Sequence, residues 1–326
     1  MKFALLSVSY AGLFYAGKPL SLEEQVHKAR QLGFDGLAIE TKRPVASPLD
    51  LSKSDRARIK AVAADQGIAL CAVESMSNFA SRYMEERENN LAMMRYVLEL
   101  ASDLGVGMVK VFAAWPGLVN DEEAVAMYAP YERGNHFKRP YPPDLRKWQR
   151  ALDGIREVAG WAADMGITLT LQNHAPVTTP GYEDALAMVQ EIDRRNVKLC
   201  LDVPLFYERQ DPAYVREAVL RCREHDVYTH YGAWNFTETP DGRVLQGPAP
   251  SFGGQINYET FVEALQEIGY TGYLASEYCV PTVKNHQLAG VEEVDRGTIL
   301  SLRYMRQLVE RTGAAPRSDR VAAMAV

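Results

Sequence analysis

Short apolar runs alternate along this chain with longer stretches in which apolar residues recur at helical spacing. The runs near residues 2–7, 36–40, 68–74, 108–113, 167–172, 197–202, 227–231 and 272–277 read as β-strands. The stretches between them carry helix punctuation. Ser21-Leu-Glu-Glu24 is a capping box, in which hydroxyl and carboxylate satisfy free N–H groups at the helix start. Asp211-Pro212 opens another helix, with Pro suited to the first turn. Gly33, Gly67, Gly105, Gly166 and Gly269 fall where helices should end, and glycine relieves the strain of a left-handed exit. Strands alternating with helices predict parallel βα units, and eight of them predict a closed (β/α)8 TIM barrel of the α/β class. A doubly wound open sheet often carries a Gly-rich phosphate loop after its first strand, and none follows here.

One barrel accounts for residues 1–313, with 314–326 read as a disordered tail. Two long insertions, after the fourth strand (114–143) and the seventh (232–257), are rich in aromatic residues and proline. Following strand C-termini, they belong to the face where such barrels keep their sites, as lids, substrate walls or subunit contacts. Phe3–Gly17 is apolar enough to resemble a secretion signal, but its serines and tyrosines and the helix start behind it favour a first barrel strand.

Composition narrows the function classes. A net charge of −6 gives no bulk attraction for polyanions, so neither nucleic acid nor an anionic membrane is an expected partner. Four cysteines without metal-finger or disulfide-framework spacing suggest a reduced, cytoplasmic setting.

The chemistry sits at the strand ends. The fifth, sixth, seventh and eighth strands end at or near Gln172, Asp202, His230 and Glu277. Strand ends of a parallel barrel converge on one small volume, so these four side chains can surround a single cation. Their oxygen-rich set suits Mn2+ first, with Mg2+, Co2+ or Zn2+ as alternatives. Alone, Asp202 could be a helix cap and His230 a packed core residue; a shared ion explains all the burials together. Gln172 brings an amide oxygen but no charge, and cannot remove a proton. His174 lies two residues on, on the same side of a continuing strand, where an imidazole can act as general base near neutral pH. Trp115 and Trp234, with Tyr231 and Phe236, are candidates for an aromatic substrate wall. Lys110 and Glu40 are candidate pocket residues, as is Glu74, although a buried charge network is an equal use for them. His136 and His286 read as solvent-exposed loop residues.

The series Gln172-Asn-His174, Leu201-Asp202, Thr229-His230 and Ser276-Glu277 resembles the xylose-isomerase-like TIM barrels, over about residues 2–311. The matching positions there are usually Glu, Asp, His and Glu, so Gln172 departs from the pattern. The resemblance implies a divalent-metal enzyme acting on sugars. Within the superfamily the chain is similar to the larger subunit of bacterial C-glycoside deglycosidases, in which a histidine at the position of His174 is the proposed base. That likeness implies a carbon–carbon lyase cleaving a 3-oxo-C-glycoside, working with a smaller β subunit in a hetero-oligomer. The alternatives are a sugar or sugar-phosphate isomerase or epimerase, and a barrel that binds a sugar or partner without catalysis.

Overall fold

A computed structural model describes residues 1–115, 117–119, 127–128, 146–174, 178–206, 209–232, 235–249 and 253–314. The predicted tail beyond 314 and most of the insertion after the fourth strand lie outside the described residues.

Eight parallel strands close into a barrel: β1 (Lys2–Leu6), β2 (Gly36–Glu40), β3 (Ala69–Glu74), β4 (Met108–Val111), β5 (Thr168–Gln172), β6 (Val197–Asp202), β7 (Asp226–Gly232) and β8 (Tyr273–Glu277). Each pairs with its sequence neighbours, and β8 closes on β1 with Lys2 opposite Tyr273. The predicted strands match these to within a residue or two at the ends. Among the described residues eight α-helices lie between and after the strands: α1 (Leu22–Leu32), α2 (Lys53–Gln66), α3 (Met84–Leu104), α4 (Lys147–Asp164), α5 (Tyr182–Ile192), α6 (Pro212–Cys222), α7 (Tyr258–Glu267) and α8 (Val291–Ala314).

The punctuation does what its chemistry demands. Ser21 and Glu24 form the capping box of α1, and Gly33 ends that helix at φ 89°. Asp211 caps α6 through the Tyr214 N–H, with Pro212 in the first turn. Ser52 and Asp55 form a second capping box, on α2. The helix order and the barrel therefore follow from local signals as well as from burial.

Alternation along the strands divides the core in two. Leu5, Leu37, Ile39, Val73, Val109, Leu169, Leu171, Leu199, Leu201 and Leu274 face the helices and build the main apolar layer. Ala4, Ala38, Ala72, Cys200, Tyr228 and Ala275 form a separate cluster inside the barrel. Two residues past Ala38, Ala72, Cys200, Tyr228 and Ala275 stand Glu40, Glu74, Asp202, His230 and Glu277. The two-residue period thus carries a polar ring to the inner rim at the C-terminal ends.

Part of the insertion after β7 folds as a hairpin, Phe236–Glu238 against Val244–Gln246. It docks on α8: the Phe236 ring lies 5.0 Å from that of Tyr304, and Arg303 meets Glu238 at 2.7 Å. Phe236 is therefore packing rather than substrate wall. Tyr231 is also fully buried, edge-on to Phe3 and Tyr258. Among the described residues no helix is long and apolar enough to cross a membrane.

Candidate metal centre

Asp202, His230 and Glu277 come from three adjacent strands, with Asp202 directly opposite His230 in the register. Their ligand atoms all lie within 4.8 Å of one another. His230 Nδ1 is 3.3 Å from Glu277 Oε2 and 3.7 Å from Asp202 Oδ2. Asp202 and His230 are almost fully buried, while the Glu277 side chain keeps 20% of its surface exposed. The centre therefore opens to solvent on the glutamate side.

Gln172, on the next strand, reaches the same point. Its Nε2 donates to Asp202 Oδ2 at 2.7 Å and lies 3.2 Å from His230 Nδ1. Its own Oε1 and Asp202 Oδ1 are buried without hydrogen-bond partners. Two orphaned oxygens beside an imidazole and two carboxylates are a donor set that a divalent cation satisfies, and the residues present fit one.

Below the centre runs a buried charge network. His230 Nε2 is 3.0 Å from Glu74 Oε1, which also accepts from the Tyr228 hydroxyl at 2.7 Å. Lys110 Nζ pairs with Glu74 Oε2 at 3.2 Å and stands 3.8 Å over the Phe112 ring. A carboxylate on Nε2 holds a hydrogen on that nitrogen, which leaves Nδ1 as the nitrogen that faces the cluster and would bind a cation in place of a proton. Burial acts to raise the Glu74 pKa, but His230, Lys110 and the Tyr228 hydroxyl bring it down to about 2. Burial opposes charge on His230, yet its acidic neighbours, Cys200, Glu74 and Asp202, hold its pKa well above the ordinary imidazole value. Glu277 is likewise held low, burial being outweighed by its hydrogen bond to His230 and that residue's charge.

His174 is 5% exposed, with its ring edge-on to Phe112 and Trp115 at 5.3 and 5.2 Å. Trp115 stacks on Phe112 at 4.5 Å. His174 follows Gln172 by two residues at the end of β5, which sets it at the same rim of the barrel.

The sequence-derived set therefore separates into groups. Gln172, Asp202, His230 and Glu277 come together, and His174 stands next to them with Trp115. Lys110 is tied to Glu74, and Glu40 is buried 2.7 Å from Lys42. Trp234 and His136 lie outside the described residues; His286 is exposed, as expected.

Two contributors were undervalued by sequence. Glu74 was one strand-end acid among several, and only its Nε2 contact distinguishes it. Asn173 follows Gln172 at the end of β5. There it clamps β5 to β6, its side chain accepting from the Asp202 N–H at 2.8 Å and donating to the Asp202 carbonyl at 3.0 Å. The pairing of two backbone groups at a ligand position has no sequence signature beyond the residue type.

The fold and site define a closed parallel (β/α)8 barrel with a clustered N/O donor set at its C-terminal rim. The chain belongs to the xylose isomerase-like TIM barrel family, whose model matches residues 26–308. No curated protein sequence matches it. Among solved structures it is similar to D-psicose 3-epimerase from Clostridium cellulolyticum H10, at 21% identity and TM-score 0.66 over 95% of this chain and 99% of that one. A second D-psicose 3-epimerase structure aligns at 20% identity and TM-score 0.70, again over 95% and 99%. The 3-keto-D-glucoside 4-epimerase of E. coli aligns at 18% identity and TM-score 0.66, over 94% and 99%. At these identities the likeness establishes the fold.

Proposed function

We propose that this chain is a divalent-metal-dependent enzyme that moves a proton on the carbon next to a sugar carbonyl, in the manner of a keto-sugar isomerase or epimerase. The observation that carries the reading is the convergence of Asp202, His230 and Glu277 at the rim, open on the Glu277 side. The sugar epimerases among the structural neighbours support it over the carbon–carbon lyase suggested by motif likeness.

A cation held by Asp202, His230 and Glu277, Mn2+ being the first candidate, would polarise the carbonyl and its neighbouring oxygen and so acidify the C–H between them. Gln172 cannot accept that proton. The groups left to do so are His174, beside Phe112 and Trp115, and Glu277, the partly exposed carboxylate. His174 takes the proton and either returns it to the same carbon or passes it on. Glu74 holds the His230 ring in place, and the Phe112–Trp115 pair keeps water from the His174 flank.

The second reading is C-glycoside cleavage, and Gln172 favours it, because a single histidine base suffices there. The first step is the same: His174 takes the C2 proton of a 3-oxo-C-glycoside. The electron pair then forms the C1–C2 double bond as the C1–aryl bond breaks, and the aryl carbon leaves with a proton. That reading calls for the smaller partner subunit to complete the pocket.

One assay separates the two. The Mn2+-loaded protein is incubated in D2O with free ketoses, a 3-oxo-O-glucoside and a 3-oxo-C-glucoside. Deuterium on the carbon next to the carbonyl, with a new epimer or isomer, supports the first reading. Aglycone release from the C-glucoside alone, dependent on a small subunit, replaces it with the second. No exchange on any keto sugar refutes both and leaves a non-catalytic sugar-binding barrel.

A further inference from the structure

Gln172 stands where the family pattern has a glutamate, and its amide is aimed nitrogen-first at the cluster. Nε2 is 2.7 Å from Asp202 Oδ2 and 3.2 Å from His230 Nδ1. One N–H of the amide donates to Asp202, and the same nitrogen lies against the His230 ring. The two side chains it lies against are groups that would bind the cation. The other end of the same amide, Oε1, is 1% exposed with its residue and has no partner. A half-turn about the last side-chain bond exchanges the two ends.

We propose that Gln172 is an internal competitor for the cation: its NH2 group occupies Asp202 Oδ2, against the His230 ring, until a divalent ion displaces it, and the rotated amide then offers Oε1 to that ion. This inference rests on the metal reading above. Its logic is electrostatic. A carboxylate here would set a third negative charge against Asp202 and Glu277, a cost carried whenever no cation is present. The neutral amide removes that repulsion and donates to Asp202, so the centre is organised before it is loaded. The consequence appears after loading. Asp202 and Glu277 bring two negative charges to a divalent cation, which leaves the centre neutral and the ion more weakly held than by three carboxylates. A less compensated ion is also the stronger electrophile toward a sugar oxygen.

The test is the side-chain amide spectrum of the 15N-labelled full chain, with the Gln172 pair assigned by its loss in Gln172→Met or Gln172→Glu. In chelator the pair should be protected from exchange with water. One equivalent of Mg2+ or Zn2+ should shift it. In parallel, Gln172→Glu should tighten Mn2+ binding by roughly tenfold or more, yet melt at a lower temperature than wild type in chelator. Freely exchanging Gln172 protons in chelator, or a glutamate variant more stable than wild type without cation, overturns the proposal. So does cation uptake that leaves the amide unmoved, and in that case the metal reading survives. No uptake of Mn2+, Mg2+ or Zn2+ by calorimetry overturns both together.

Discussion

Glu74 is a residue whose removal the structure makes costly. It is fully buried between Lys110, Tyr228 and His230, and breaking a buried pair leaves the surviving charge without compensation. Glu74→Gln should therefore destabilise the chain by about 3–5 kcal/mol at neutral pH. Because its folded pKa is depressed from 4.5 to about 2, its stabilisation is complete above about 4.5 and is lost as pH falls through about 2. Denaturant unfolding of wild type and Glu74→Gln should thus show a gap that narrows between pH 5 and pH 2. A gap independent of pH would show that ionisation of Glu74 contributes nothing. His174 predicts a different pattern, because it stands beside the cluster rather than within it. His174→Ala should keep cation affinity while turnover falls by roughly 10²-fold or more. Near-normal turnover would move the base to another group, with Glu277 the first to examine.

Strands and helices were legible in this chain for a simple reason. Glycine exits at Gly33, Gly67 and Gly105 and the Ser21–Glu24 box are backbone requirements, and they act where they are written. The inner polar rim follows from the two-residue period, which is why Asp202, His230 and Glu277 could be placed together from sequence. Side-chain partners within the rim were not legible. Which of Glu40, Glu74 and Lys110 pair with each other depends on rotamers and inter-strand register, and no local pattern encodes either. The docking of the hairpin after β7 is hidden for the same reason: its position after a strand end is plain, but its seat on α8 depends on Phe236 meeting Tyr304. Helix α4 offers a test of packing between elements. A Cβ on Gly154 would lie 2.8 Å from Phe79 Cβ, and Phe79 is itself buried. Gly154→Ala gains up to about 1 kcal/mol in helix propensity, against about 1–3 kcal/mol of overpacking. Net destabilisation in a denaturant titration is the expected outcome, and a more stable variant would mean that Phe79 moves aside freely.

At the level of the complete barrel, the candidate ligands tie together β6, β7 and β8, with Gln172 adding β5. A cation at this rim links the second half of the chain just before β8 closes on β1. Since such an ion binds the folded chain and not the unfolded one, Mn2+ at a hundred times its Kd should add about 2.7 kcal/mol of stability. Chelator should remove the gain, and Asp202→Asn should abolish it; a thermal shift of equal size in that variant would place the ion elsewhere. The same geometry underlies the proton-transfer reading, the role given to Gln172 and the positioning given to Glu74. Anomalous diffraction from crystals grown with Mn2+ examines it most directly. A single strong peak bonded to Asp202, His230 Nδ1 and Glu277 is the expected result, whereas a map with no peak among those three side chains would contradict it.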